Sequence, residues 1–117
     1  MKKIAIISIT LHLASLLCLS VSAQISHDVT VFSETGEKFT LVLNGKKINH
    51  EPSENVFIED VHYDFANTVI TFEDSSIPTI KKKVMQIADV EHKAPCSVVY
   101  KIKTDKKGRR KLRFTLF

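Results

Sequence analysis

The stretch KFTLVLNGKKIN, residues 38–49, contains the clearest structural signal of the chain. In FTLVL, phenylalanine and the two leucines occupy every second position, a period that predicts a strand with one buried face. Asn44 and Gly45 follow, and both tolerate the positive φ that a two-residue hairpin turn requires. The stretch therefore predicts a β-hairpin whose second strand covers residues 46–49.

Similar alternation recurs about every ten residues along the rest of the chain. The other predicted strands are residues 28–33 (DVTVFS), 55–61 (NVFIEDV), 65–72 (FANTVITF), 98–103 (VVYKIK) and 112–116 (LRFTL). The last two form a second hairpin around the turn DKKG, residues 105–108, with Leu112 and Phe114 on the face opposite Arg113.

One segment, residues 79–87, fits neither pattern cleanly. Ile80, Val84 and Ile87 have the spacing of a helix face, whereas the three lysines at residues 81–83 resist burial. The sequence leaves open whether this segment is a helix or a strand.

Seven or eight short strands without a convincing helix predict an all-β domain, a small antiparallel β-sandwich or a flattened barrel. A length of 117 residues, 44% of them hydrophobic and 26% charged, fits one compact domain. The chain contains two cysteines and could form one disulfide at most, which excludes a miniprotein held together by several disulfides. We expect one β-sandwich domain over residues 24–117.

Residues 1–23 have the three parts of a secretory signal peptide. Lys2 and Lys3 are followed by an uncharged apolar stretch over residues 4–19, and Val-Ser-Ala at residues 21–23 supplies the small residues of a cleavage site. Cleavage is predicted after Ala23, with no transmembrane segment thereafter, which predicts a periplasmic or extracellular protein. Leu17 before Cys18 does not fit a lipoprotein signal, which needs a small residue there.

The sequence offers little for catalysis or metal binding. His27, His50, His62 and His92 show no metal-ligand spacing, and the chain has no glycine-rich phosphate loop. Cys96 lies four residues after His92, but Pro95 makes a shared helical face improbable, so Cys96 is interpreted as a structural thiol. We expect a protein that is not an enzyme, without catalytic residues, metal or cofactor.

Charge is distributed unevenly along the mature chain. Residues 24–96 contain 7 basic and 12 acidic side chains, whereas residues 97–117 contain 8 basic and 1 acidic. The basic set is the candidate anion-binding site and comprises Lys101, Lys103, Lys106, Lys107, Arg109, Arg110, Lys111 and Arg113.

The alternation in the predicted hairpin places four of these side chains on its outward face: Lys101, Lys103, Lys111 and Arg113. Three others surround the turn: Lys106, Lys107 and Arg109. This set predicts a docking surface for a polyanion. The simpler alternative is a solvated face whose cations pair with nearby carboxylates. Nucleic acid is not expected, because export removes the chain from the cytoplasm and no aromatic residues interleave the cations for base stacking.

The stretches VFSETGEKFTLVLNGKKIN (residues 31–49), ITFED (70–74) and VVYKIKTDKKGRRKLRF (98–114) resemble a small exported β-domain of Gram-negative bacterial proteins. In that family the domain often precedes a helical domain of unknown function. A more distant resemblance is to PEGA-type surface β-domains, although the Pro-Glu-Gly-Ala string is absent. The resemblance implies an envelope β-module without assigned catalysis.

These observations together predict a non-enzymatic binding or adaptor module of the bacterial envelope, with an unidentified protein or anionic glycan as its partner. One alternative is a polyanion-binding protein that uses the basic C-terminal hairpin. Another is a structural or inhibitory subunit that pairs through an exposed edge strand.

Overall fold

A computed structural model describes residues 25–89, 91 and 94–116, and these residues contain eight strands and no helix. The strands are β1 (His27–Ser33), β2 (Phe39–Leu43), β3 (Lys46–Lys47), β4 (Asn55–Val61), β5 (Phe65–Phe72), β6 (Ile80–Gln86), β7 (Ser97–Thr104) and β8 (Arg110–Leu116). The predicted signal peptide, which includes Cys18 and ends at the predicted cleavage site after Ala23, lies outside the described residues. His92 also lies outside them.

The strands form two four-stranded sheets. Sheet A has the order β4-β1-β7-β8 and sheet B the order β3-β2-β5-β6. β1 runs parallel to β7, and the other pairs are antiparallel. The predicted β-sandwich is confirmed, and because the two sheets do not close on each other, the alternative of a flattened barrel is wrong.

The core lies between the sheets and follows the alternation of the sequence. Every second residue of β1, β2 and β7 is buried, because successive strand side chains point to opposite faces. Phe39 and Phe72 meet edge to face, with ring centroids 6.5 Å apart. Across the sandwich, the Tyr100 hydroxyl donates a 2.6 Å hydrogen bond to the carbonyl of Gln86, which ties β7 to the end of β6.

The ambiguous segment is a strand, β6, at one edge of sheet B. Thr68 pairs with Lys82 but Ala66 pairs with Met85, so β6 contains one extra residue at this point. Such a bulge breaks the period of two, which explains the helix-like spacing in the sequence. Lys81 and Lys83 are exposed to water, whereas Ile80 and Lys82, which alternate with them, are half-buried.

The predicted turn at Asn44 and Gly45 is present, with φ of 49° and 79°. Asn44 Oδ1 also accepts a 2.8 Å hydrogen bond from the backbone N–H of Asn67, which fastens the turn to β5. We expect Gly45→Val to lower the free energy of unfolding by about 1–3 kcal/mol, because a β-branched residue resists positive φ. Urea unfolding followed by circular dichroism measures this.

Apart from its two neighbours in the chain, a Cβ at Gly45 would have no heavy atom within 4 Å, so the loss would come from backbone strain and not from a clash. Gly45→Asn is the matched control, since Asn tolerates the left-handed region and should cost less. Equal unfolding midpoints for the Val and Asn variants would contradict the argument.

Candidate anion-binding site

The basic residues of the C-terminal segment are positioned by the β7–β8 hairpin. Tyr100 and Ile102 of β7 are buried, so the residues between and beside them face outward. In the register of the hairpin, Lys101 lies opposite Arg113 and Lys103 lies opposite Lys111. The four side chains that the sequence assigned to one outward face therefore form two directly opposed cation pairs.

The turn between the strands is organised by Asp105, the one acidic residue of this segment. Its Oδ1 accepts 2.9 Å hydrogen bonds from the backbone N–H groups of Lys107 and Arg109. Its Oδ2 lies 3.1 Å from Arg109 Nε and 3.7 Å from Lys111 Nζ. These contacts, led by the backbone hydrogen bond from Arg109, lower the pKa of Asp105, which keeps the carboxylate charged.

Each opposed cation pair has one member whose charge is compensated by a carboxylate. Lys101 Nζ lies 3.6 Å from Glu34 Oε1, while Arg113 opposite has no ion pair among the described residues. Lys111 contacts Asp105, while Lys103 opposite has none among the same residues. Like charges directly opposite each other destabilise a hairpin, and two local carboxylates reduce that repulsion.

A groove of about 650 Å³ lies along this outer face, and we call it the basic groove. Its cations are Lys101, Lys103, Lys106, Lys111 and Arg113. Phe114 also lines the groove and is 49% exposed, although its ring packs edge to face against Tyr100 at 5.8 Å. One aromatic residue of β8 therefore lies beside the cations of the groove.

Of the eight predicted residues, Arg110 is directed elsewhere. Its guanidinium donates two hydrogen bonds to Glu37 Oε1, of 3.2 Å from Nε and 2.5 Å from Nη2. Both side chains are largely buried, at 25% and 17% exposure. Arg110 therefore fastens the start of β8 to the loop after β1, and its charge is neutralised there.

The carboxylate of Glu37 is held by more than Arg110. The hydroxyls of Thr35 and Ser33 both donate hydrogen bonds to Oε2. These bonds, that of Thr35 first, and the Arg110 contact outweigh burial and lower the pKa of Glu37 to about 2. Glu37 and Arg110 are thus a structural pair that joins the loop after β1 to the start of β8.

The sequence did not reveal that β6 adds cations beside the hairpin. β6 and β8 are edge strands of different sheets, and they contact each other along one side of the sandwich. A groove of about 460 Å³, which we call the seam, lies between residues 80–82 of β6 and 110–113 of β8. Lys111 and Arg113 line both grooves, so the basic surface continues from the outer face into the seam.

The fold brings together Cys96 and His27, which are 69 residues apart in the sequence. Cys96 Sγ lies 3.3 Å from His27 Nδ1, and His27 Nε2 lies 3.9 Å from Asp64 Oδ1, too far for a hydrogen bond. The lone pair of Nδ1 already accepts a 3.2 Å hydrogen bond from the Cys96 backbone N–H, and the thiol donates to the Ile87 carbonyl at 3.2 Å. This arrangement joins β1 to the start of β7, and the ring nitrogen that a base would need is occupied.

The other candidate chemical groups stay apart. Among residues 25–89, 91 and 94–116, no group of three or more His, Cys, Asp or Glu side chains is arranged to hold a metal ion. The adjacent acids Glu59 and Asp60 lie at an end of β4, where Asp60 has a φ of 59° and accepts a 2.9 Å hydrogen bond from Ser26. Asp74 accepts hydrogen bonds from Ser76 within a turn.

Within the described part of the chain there is also no long apolar helix of the kind that spans a membrane. Comparison with protein-family models, curated proteins and solved structures gave no match. The resemblance to an exported β-domain family therefore remains a prediction, and the basic hairpin is the feature on which a functional proposal rests.

Proposed function

We propose that this chain is an exported, non-enzymatic binding module of the bacterial envelope whose basic β7–β8 hairpin holds a polyanionic partner. One observation carries the proposal. Four cations of the hairpin, Lys103, Lys106, Lys107 and Arg113, have no ion-pair partner among the described residues. The field of these charges is available to an anionic ligand.

The placement of the cations without an ion-pair partner supports the same proposal. If the basic residues served only to keep the hairpin solvated, the cations without an ion-pair partner would have no reason to lie close together. Lys103, Lys106 and Arg113 instead line one groove. A polymer with repeated negative charges would contact several of them at once, and each contact would add to the salt dependence of binding.

The first test is retention on immobilised heparin, a soluble polyanion. Residues 24–117 should be retained at low ionic strength and released as salt screens the contacts, because the Debye length falls from about 30 Å at 0.01 M to about 10 Å at 0.1 M. We expect Lys103→Glu/Arg113→Glu to lower the affinity for heparin by about tenfold or more, since two attractive contacts become repulsive.

The matched control is Lys46→Glu/Lys47→Glu, which changes net charge equally. Both lysines are exposed on β3, at the edge of sheet B farthest from β6. This control should remain close to the parent in heparin affinity. Equal losses in the two double variants would show that only net charge matters and would overturn the proposal of a hairpin site.

A further inference from the structure

The seam combines two open sheet edges. Of the described strands, β8 is hydrogen-bonded only to β7, and β6 only to β5. Each edge therefore presents backbone groups that the described strands do not pair, and such an edge is a template for an additional strand. The seam lies between the two edges, with residues of both lining it.

The register identifies which backbone groups of β8 face the seam. The carbonyl of Ile102 accepts a 3.0 Å hydrogen bond from Glu34 N–H, so the backbone groups of Ile102 point away from β8. Leu112 lies directly opposite Ile102 in the antiparallel pair, which makes this a non-hydrogen-bonded pair. The N–H and C=O of Leu112 therefore point outward to the open edge, whereas those of Arg113 point to Lys101.

The side chains around this edge favour an amphipathic strand. Ile80 and Leu112 are half-buried and pack against the core, so they form an apolar floor, which the half-buried Lys82 borders with its Nζ 5.8 Å from the centre of the Tyr100 ring. Lys111 and Arg113, on the other face of β8, are exposed, and Lys81 is exposed on β6. A strand added beside β8 would alternate in the same way, with one face toward the floor and the other beside Lys111 and Arg113.

We infer that the seam receives an extended segment of a partner protein in which acidic and apolar residues alternate, added as a strand to β8. The inference rests on the proposed function and specifies the polyanion as an acidic polypeptide. Backbone hydrogen bonds between this segment and Leu112 would supply affinity, and the carboxylates of the segment would contact Lys111 and Arg113. Its apolar residues would cover Ile80 and Leu112.

A second copy of this chain does not fit the edge equally well. Two β8 strands paired antiparallel about Leu112, whose backbone groups face the edge, would oppose Lys111 with Arg113, which is destabilising. Sheet A could also be continued by the β4 strand of a second copy placed beside β8. Within one copy, the register across the sheet runs from Asn55 through Phe32 and Lys101 to Arg113. If the second copy kept this register, its Asn55 would lie beside Arg113. The acidic residues Glu59 and Asp60 would lie farther along, away from Lys111.

The test uses a synthetic heptapeptide of alternating glutamate and valine, equal in length to β8. At saturation we expect amide hydrogen exchange of Leu112 in residues 24–117 to slow by about tenfold or more, since its outward N–H gains an acceptor. The amide of Arg113 is the internal reference because it already faces β7. A peptide with the same side chains and N-methylated backbone on alternate residues should bind at least about tenfold more weakly.

Three results would overturn the inference. Equal binding of the methylated and unmethylated peptides, with Leu112 exchange unchanged, would leave a purely electrostatic site and keep the proposed function. Slower Leu112 exchange that depends on protein concentration without peptide would identify a second copy as the occupant. Failure of both heparin and the peptide to bind would overturn the proposed function together with this inference.

Discussion

Replacing Phe39 by Ala should lower the free energy of unfolding by about 3–5 kcal/mol. The side chain is completely buried and contacts Phe72 in the centre of sheet B, so its removal leaves a cavity. The backbone of Phe39 also exchanges hydrogen bonds with Ser53, of 2.9 and 3.0 Å, and its carbonyl accepts one from Asn49. The loop between β3 and β4 is thus attached where the cavity would form.

Urea unfolding of residues 24–117, monitored by circular dichroism, measures the loss. The matched control is Phe57→Ala, because Phe57 lies on edge strand β4 and is 57% exposed. Its removal takes little apolar surface out of the interior and should cost less than about 1 kcal/mol. A loss below about 1 kcal/mol for Phe39→Ala would contradict the burial on which the sandwich depends.

Glu37→Gln should lower stability at pH 7 by about 2–3 kcal/mol and remove a component of acid sensitivity. The pKa of Glu37 is lowered from 4.5 to about 2 by hydrogen bonds from Thr35, Arg110 and Ser33. A shift of this size corresponds to about 3 kcal/mol between the two protonation states. The substitution also leaves the largely buried guanidinium of Arg110 without its carboxylate.

The direction of the pH effect follows from linkage. Because the folded-state pKa lies below the unfolded one, the stabilisation by Glu37 is complete above about pH 4.5 and is lost progressively as the pH falls to about 2. Unfolding free energies at several pH values should show a shallower acid decline for Glu37→Gln than for the parent. Parallel declines would contradict the prediction.

Glu34→Gln serves as the control for this effect. Glu34 is exposed and contacts Lys101 at 3.6 Å, an arrangement typical of a surface salt bridge. Such pairs contribute about 0–1 kcal/mol. Its loss should therefore change stability little and leave the slope of the acid decline nearly unaltered.

The strands were predictable wherever one face of the strand is buried and the other is exposed to solvent. In β1, β2 and β7 the burial alternates as the residue types do, and Asn44 and Gly45 adopt the φ values expected of them. β6 was not predictable in this way, because its bulge interrupts the period and its edge position exposes apolar Val84. Local residue types carry no information about an extra residue in a strand.

The positive charge of the candidate site was predictable, but the carboxylates that pair with some of its cations were not. Lys103 and Arg113 were expected on the outer face from alternation alone. That Arg110 pairs with Glu37, 73 residues earlier, depends on how β8 meets the loop after β1, which no spacing reveals. The same reason explains why the contact between Cys96 and His27, 69 residues apart, was missed.

The parallel pairing of β1 with β7 has a consequence for the order in which this chain acquires its structure. β1 lies between β4 and β7, and β7 ends at residue 104 of 117, so the second neighbour of β1 is complete only when about nine-tenths of the chain has been synthesised. Until then sheet A lacks half of its strands, and contacts so distant in sequence close slowly. Sheet A, which carries the basic hairpin, therefore cannot be complete before β7 and β8 have been made.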